Sequence, residues 1–187
     1  LQVYRLDTVA GRLVPLESGP GGLGEGYGLC LGAHGGVLRA YSVLKDGRIV
    51  EVRIDLGTTV QFTPERQLAV PSQAEGCVVD QRNGTLYVGE EGGGLWRFAT
   101  GATAGESVAP IDNRYLVADL EGLALAPSGE RGGYLVASSQ GDKAYAVCSL
   151  PDMAPRGRFR VAAGALGGAE ETDGIELALG DFGPNFP

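Results

Sequence analysis

The chain has 187 residues, a formal net charge of −8, 32 glycines and a 43% share of hydrophobic residues. That is enough for one domain with a real core, and no run of about 18 apolar residues points to a membrane partner or span. The acidity argues against bare nucleic acid as a partner, because phosphate backbones need clustered Lys and Arg. The glycines fall at turns between alternating strands rather than in a low-complexity tract, which predicts an all-β chain instead of a disordered one.

In chain order, Leu1–Leu6 reads as the outer strand of a preceding repeat, Asp7–Gly11 as its turn and Arg12–Leu16 as its continuation. A chain that starts inside a strand, without an initiator Met, is expected to be part of a longer protein. Gly19–Gly26 is a glycine-rich link, and it is no phosphate loop because no GKS or GKT follows. Tyr27-Gly28-Leu29 opens an apolar strand that turns at Ala33–Gly36, where the only histidine, His34, sits. With no second His or Cys at ligand spacing, His34 reads as a solvated turn residue. Val37–Leu44 and Ile49–Ile54 are the next strands, joined by a Lys45-Asp46-Gly47 turn.

The stretch Pro71–Phe98 contains a whole repeat. Gly76–Asp80 is a short apolar run, Arg82-Asn83-Gly84 is a hairpin turn of the Asn-Gly kind, and Thr85–Glu90 alternates. The turn reading outweighs the glycosylation sequon at Asn83-Gly84-Thr85. Glu90 and Glu91 point to opposite faces of a strand, so only one of them can reach a given rim, and strand phase alone leaves both open. Further on, Asp119 stands two residues before Glu121, on the same side of an extended segment. Ser138-Ser139-Gln140 ends an apolar strand, but no histidine base and no GxSxG elbow support a serine nucleophile. Arg156–Arg160 reads as a solvated basic connection. The three cysteines, Cys30, Cys77 and Cys148, form no CxxC pair and are expected to be small buried apolar residues in strands.

A polar residue followed by glycine and an apolar strand recurs at Tyr27-Gly28, Glu75-Gly76, Glu121-Gly122 and Asp173-Gly174, with offsets of 48, 46 and 52 residues. That period suits a four-stranded propeller blade. In an antiparallel pair the start of strand one and the end of strand two share a rim. With strand one innermost, Tyr27, Glu75, Glu121 and Asp173 meet the strand-two ends Lys45, Glu91 and Gln140 around one channel mouth. Carboxylates gathered there repel unless some are protonated or a cation sits among them, and hard oxygen ligands of this kind suit Ca²⁺.

Together, Tyr27-Gly28, Lys45-Asp46-Gly47, SQAEG at Ser72–Gly76, LYVGEE at Leu86–Glu91, LWRF at Leu95–Phe98, DLEGL at Asp119–Leu123, YLVASSQG at Tyr134–Gly141 and TDGI at Thr172–Ile175 resemble the β-propeller phytases. The resemblance implies a six-bladed propeller, of which residues 1–187 would hold about three full blades and parts of two as a single partial domain. It implies Ca²⁺ as cofactor and phytate or calcium-phytate as substrate, with phosphate removed by metal-activated water attack. By the same resemblance, Glu75, Glu91, Glu121 and Lys45 are catalytic, while Lys45, Tyr27 and Gln140 bind substrate. Metal ligands would come from Tyr27, Glu75, Glu91, Asp119, Glu121 and Asp173, a set that favours Glu91 over Glu90. The family also implies a secreted or periplasmic location, and the missing blades as partners on the same polypeptide. Two departures stand out: Gly167–Thr172 is shorter than the family's acidic loop, and Glu176 stands where Asp is usual. A non-catalytic propeller piece that binds calcium or a partner is the alternative reading, and a four-bladed ring is the weakest.

Overall fold

Runs of alternating β-formers broken every five to ten residues by glycine turns can satisfy their backbone groups only by pairing with neighbours, and each does so with the next run in sequence. The computed structural model describes residues 1–165 and 167–183. A two-stranded ribbon, β1 (Gln2–Asp7) and β2 (Arg12–Ser18), comes first. Three four-stranded antiparallel sheets follow: β3 (Gly26–His34), β4 (Val37–Leu44), β5 (Arg48–Leu56) and β6 (Val60–Ala69); β7 (Ala74–Asp80), β8 (Thr85–Glu90), β9 (Gly94–Phe98) and β10 (Glu106–Pro110); and β11 (Leu120–Ser128), β12 (Gly132–Ser139), β13 (Ala144–Ser149) and β14 (Pro155–Phe159). The first strands of the three sheets, β3, β7 and β11, lie against one another, so the sheets are arranged as blades with strand one innermost.

Sheet faces bury against sheet faces. Tyr41, Val43, Ile49 and Leu68 of the first blade pack with Val79, Leu86, Val88 and Phe98 of the second. Tyr87 and Leu95 pack with Leu123, Leu135, Ala137 and Cys148 of the third, and Leu1 and Val3 cover Ala40, Ile54 and Val60. Each such side chain, fully buried, contributes about 2 kcal/mol. Between blades, arginines cap loop carbonyls: Arg82 Nη1 donates to Gly132 O at 2.7 Å and Gly129 O at 3.0 Å, and Arg97 Nη1 donates to Pro151 O at 3.1 Å. The predicted turn at Asn83-Gly84 forms, with Gly84 at φ 72° and its N–H donating to Asp80 O at 2.7 Å.

Four expectations are corrected. Cys30 and Cys77 are not independent buried thiols but a disulfide joining β3 to β7, whereas Cys148 is a buried free thiol. Arg156–Arg160 is solvent-facing as expected but is not a connection: most of it is the edge strand β14, where the half-buried Arg158 guanidinium donates to Asp142 at 2.5 Å. His34 is not a turn residue but the last residue of β3, and it is half-buried, with Nδ1 3.1 Å from Gln81 O of the next blade. Asp173–Ile175 is not a strand and forms no ladder among the described residues; it lies beside Gly122, whose Cβ, if present, would be 2.6 Å from Asp173 O.

Candidate metal centre

The rim expected from strand order is built by one backbone contact repeated in each blade. The N–H of Lys45 donates to Glu25 O at 3.0 Å, that of Glu91 to Gln73 O at 3.0 Å and that of Gln140 to Asp119 O at 2.9 Å. Lys45, Glu91 and Gln140 are therefore equivalent positions, each pinned two residues ahead of Tyr27, Glu75 and Glu121 respectively.

Each inner strand also breaks register at the same place. The shifts fall between Gly26 and Gly28, between Ala74 and Cys77, and between Leu120 and Leu123, so Tyr27, Glu75-Gly76 and Glu121-Gly122 sit in bulges. Bulges re-aim side chains, and here they turn the rim residues toward one mouth. The glycines let the strands close in: a Cβ at Gly28 would overlap Glu75 O, and one at Gly76 would overlap Glu121 O. Close approach, not left-handed backbone, is why glycine follows Tyr27, Glu75 and Glu121.

The result is a carboxylate cluster. Glu75, Glu91 and Glu121 each place an oxygen within 4.8 Å of the others. Burial pushes the Glu75 carboxyl up to about 8, reinforced by hydrogen bonding to and repulsion from Glu121 and then Asp173. Glu121, 6% exposed, is likewise raised by burial and by repulsion from Glu91, Asp173 and Asp119, against a hydrogen bond from Glu75 that lowers it. Such a group is held together at a cost unless protons or a cation occupy it. Three hard oxygens, with further carboxylates nearby at Asp173 and Asp119, suit a hard cation better than a soft metal.

Glu90 and Glu91 separate cleanly. Glu91 joins the cluster and accepts a hydrogen bond from Gln73 Nε2. Glu90 is neither at the rim nor solvated: it is buried, accepting from Ser72 Oγ at 2.5 Å and from the Trp96 indole at 2.7 Å, beneath the site. On the first blade, Lys45 Nζ lies 5.0 Å from the centre of the Tyr27 ring and 3.5 Å from Glu25. Lys45 pulls the Tyr27 phenol down, but desolvation and repulsion from Glu75, Glu91 and Glu121 outweigh it and hold the phenol above its ordinary value. A groove of about 230 Å³ lined by Tyr27, Glu75, Gly76, Gly122 and Asp173 leads to the cluster. Gln140 stands at the rim with its amide turned to Thr172 O at 3.4 Å, and Asp119 is exposed beside it.

Sequence reasoning missed three supports. Thr172 is buried, its carbonyl accepting from Ser138 Oγ at 2.9 Å as well as from Gln140. The Ser72–Glu90–Trp96 group underlies Glu91. The Cys30–Cys77 bond had a readable signal, because its 47-residue separation matches the repeat.

A family model described as Phytase matches residues 10–187. The chain belongs to the phytase family. It is 31% identical over 202 residues to the 3-phytase of Bacillus subtilis (strain 168), an alignment covering 100% of this chain and 52% of that relative. This phytase-family chain thus spans about half the length of that relative, and the acidic rim lies within the matched residues.

Proposed function

We propose that this chain carries the metal and substrate site of a calcium-dependent phosphomonoester hydrolase that removes phosphate from phytate. The observation that carries the reading is the Glu75–Glu91–Glu121 cluster, three carboxylates gathered within 4.8 Å with the Glu75 and Glu121 carboxyls raised, in a protein of net charge −8. A dense polyanion would be repelled by that mouth as it stands. Calcium bound among these oxygens would supply the positive charge that attracts phosphate and makes a water molecule a better nucleophile.

The chain's own residues divide the remaining work. Glu75, Glu91 and Glu121 would hold the ion, and Asp173, Asp119 and Tyr27 are the neighbouring oxygens that would complete its shell. Lys45, poised over Tyr27, would donate to a phosphate oxygen, and Gln140 would offer its amide from the third blade. The protein contributes placement and charge rather than a covalent intermediate. A secreted or periplasmic setting accords with the Cys30–Cys77 bond, since disulfides persist in oxidising compartments. A six-bladed ring, closed by further blades of the same polypeptide, accords with the relative's greater length.

The test is phosphate release from phytate by the protein with calcium and with chelator. Release that is lost in chelator and restored by calcium is expected; undiminished release in chelator overturns the reading. A second reading is a blade set that binds calcium or a partner without turnover, the exposed Leu29 and Leu31 on β3 offering an apolar contact for such a partner. Calcium binding without phosphate release would select it.

A further inference from the structure

The junction between the first two blades is built unlike the next one. Where blades two and three meet at the rim, the N–H of Leu120 donates to Glu91 O at 3.1 Å, so Glu91 and Glu121 are tied through backbone. Among the described residues, the first two blades have no equivalent bond between Ala74 and Lys45. They have a covalent one instead. Along β3 and β7, Gly28 meets Glu75, Cys30 is bonded to Cys77, and Gly32 meets Val79, so three successive same-face positions pair at one constant offset. The bond lies three residues from Tyr27 and two from Glu75.

This asymmetry matters because the site is divided along that seam. Glu75, Glu91 and Glu121 belong to blades two and three, while Tyr27 and Lys45 belong to blade one. Gly28 and Gly32 carry no side chains with which to grip β7, so near the rim the crosslink between them is the tie that fixes β3 against β7, while His34 against Gln81 and the packing of Tyr41 and Val43 hold the blades together farther from the site.

We propose that Cys30 and Cys77 are positioning residues whose disulfide holds Tyr27 in register with the carboxylate cluster, and that reducing the bond weakens the metal site through Tyr27 without unfolding the blades. The proposal rests on the calcium reading above. A dithiol reductant breaks the Sγ–Sγ bond by delivering two electrons and two protons, leaving two thiols and its own disulfide. Both strands remain in their sheets, held by their β4 and β8 ladders, but the spacing from Tyr27 to Glu75 is released. The orientation of ligands by supporting groups is worth about ten- to a hundred-fold in metal affinity.

The experiment is a calorimetric calcium titration of four samples: oxidised and dithiol-reduced protein, each with Tyr27 intact or as Tyr27→Phe. Far-UV circular dichroism and the fluorescence of Trp96, the single tryptophan, check that each is folded. The Cys30→Ser/Cys77→Ser variant should match the reduced protein and respond no further to reductant. Expected is a loss of affinity of about ten-fold or more on reduction with Tyr27 intact, and little or none in Tyr27→Phe, because two changes acting through one contact do not add. Equal losses in both backgrounds, no loss in either, or a reduced protein that is unfolded would each overturn the proposal. Oxidised protein that binds no calcium would instead overturn the calcium reading on which it rests, and the proposal with it.

Discussion

Gly76 packs directly on the backbone carbonyl of Glu121, so close that a methyl group at residue 76 would occupy the space of the carbonyl oxygen. The same relation joins Gly28 to Glu75, and Gly122 stands correspondingly beside Asp173. The acidic rim is therefore a consequence of inner strands that lack side chains where they touch.

Gly76→Ala should force β7 and β11 apart. We expect a loss of about 2 kcal/mol, the scale of overpacking in a filled space, together with a reduced melting-temperature gain from calcium. Gly157→Ala, on β14 with open space around it, should change neither. Thermal melts with calcium and with chelator decide it, and equal behaviour of the two variants would count against the packing argument.

Glu75→Gln keeps the shape of the cluster and removes a carboxyl that the apo fold can hold near neutral pH only by taking up a proton or bearing the repulsion of its neighbours. In chelator the variant should melt at or above the wild-type temperature, with about 1 kcal/mol relieved after discounting for solvent. In excess calcium it should melt below wild type, because binding to the folded form stabilises by mass action and the variant binds less. A calcium response identical to wild type would remove Glu75 from the metal site.

Lys45→Met should raise KM for phytate about ten-fold, the loss of one charge-assisted hydrogen bond to phosphate, while leaving calcium-induced stabilisation intact. Steady-state kinetics beside a calcium melt separate the two effects. A variant that loses the calcium response would instead place Lys45 among the groups supporting the ion.

Asp80 offers a pH test remote from the rim. Burial alone would raise its carboxyl, but hydrogen bonds and charge from Arg82, with Asn83, hold it below its ordinary value. The Arg82–Asp80 pair, at 2.7 Å, also orients the guanidinium that caps the third blade's carbonyls. With the folded value below the unfolded one, the pair's contribution is complete above about pH 4 and is lost as pH falls through the folded value. Asp80→Asn should cost about 2 kcal/mol at pH 7, and urea titrations at pH 7 and at the lowest pH the fold tolerates should show that gap narrowing once pH falls below the ordinary carboxylate value of about 4. A gap of equal size at both pH values would show that the ion pair is not its source.

The blade period, the order of the strands and the membership of the rim were legible from residue order, because turns and two-residue alternation are local properties of a chain. Tyr27, Glu75 and Glu121 recur at one blade spacing before glycine, and strand order alone brings Lys45, Glu91 and Gln140 opposite them. The choice between Glu90 and Glu91 was not local on strand phase. It depends on a bulge on the neighbouring strand and on an indole and a hydroxyl, Trp96 and Ser72, that reach Glu90 from elsewhere in the blade. Nor was the Cys30–Cys77 bond settled by spacing, since pairing two thiols requires inner strands of different sheets to touch at matching heights. Periodicity along one strand determined what each blade presents. Only tertiary packing, which depends on how closely glycine lets one backbone approach the next, decided which of those groups meet.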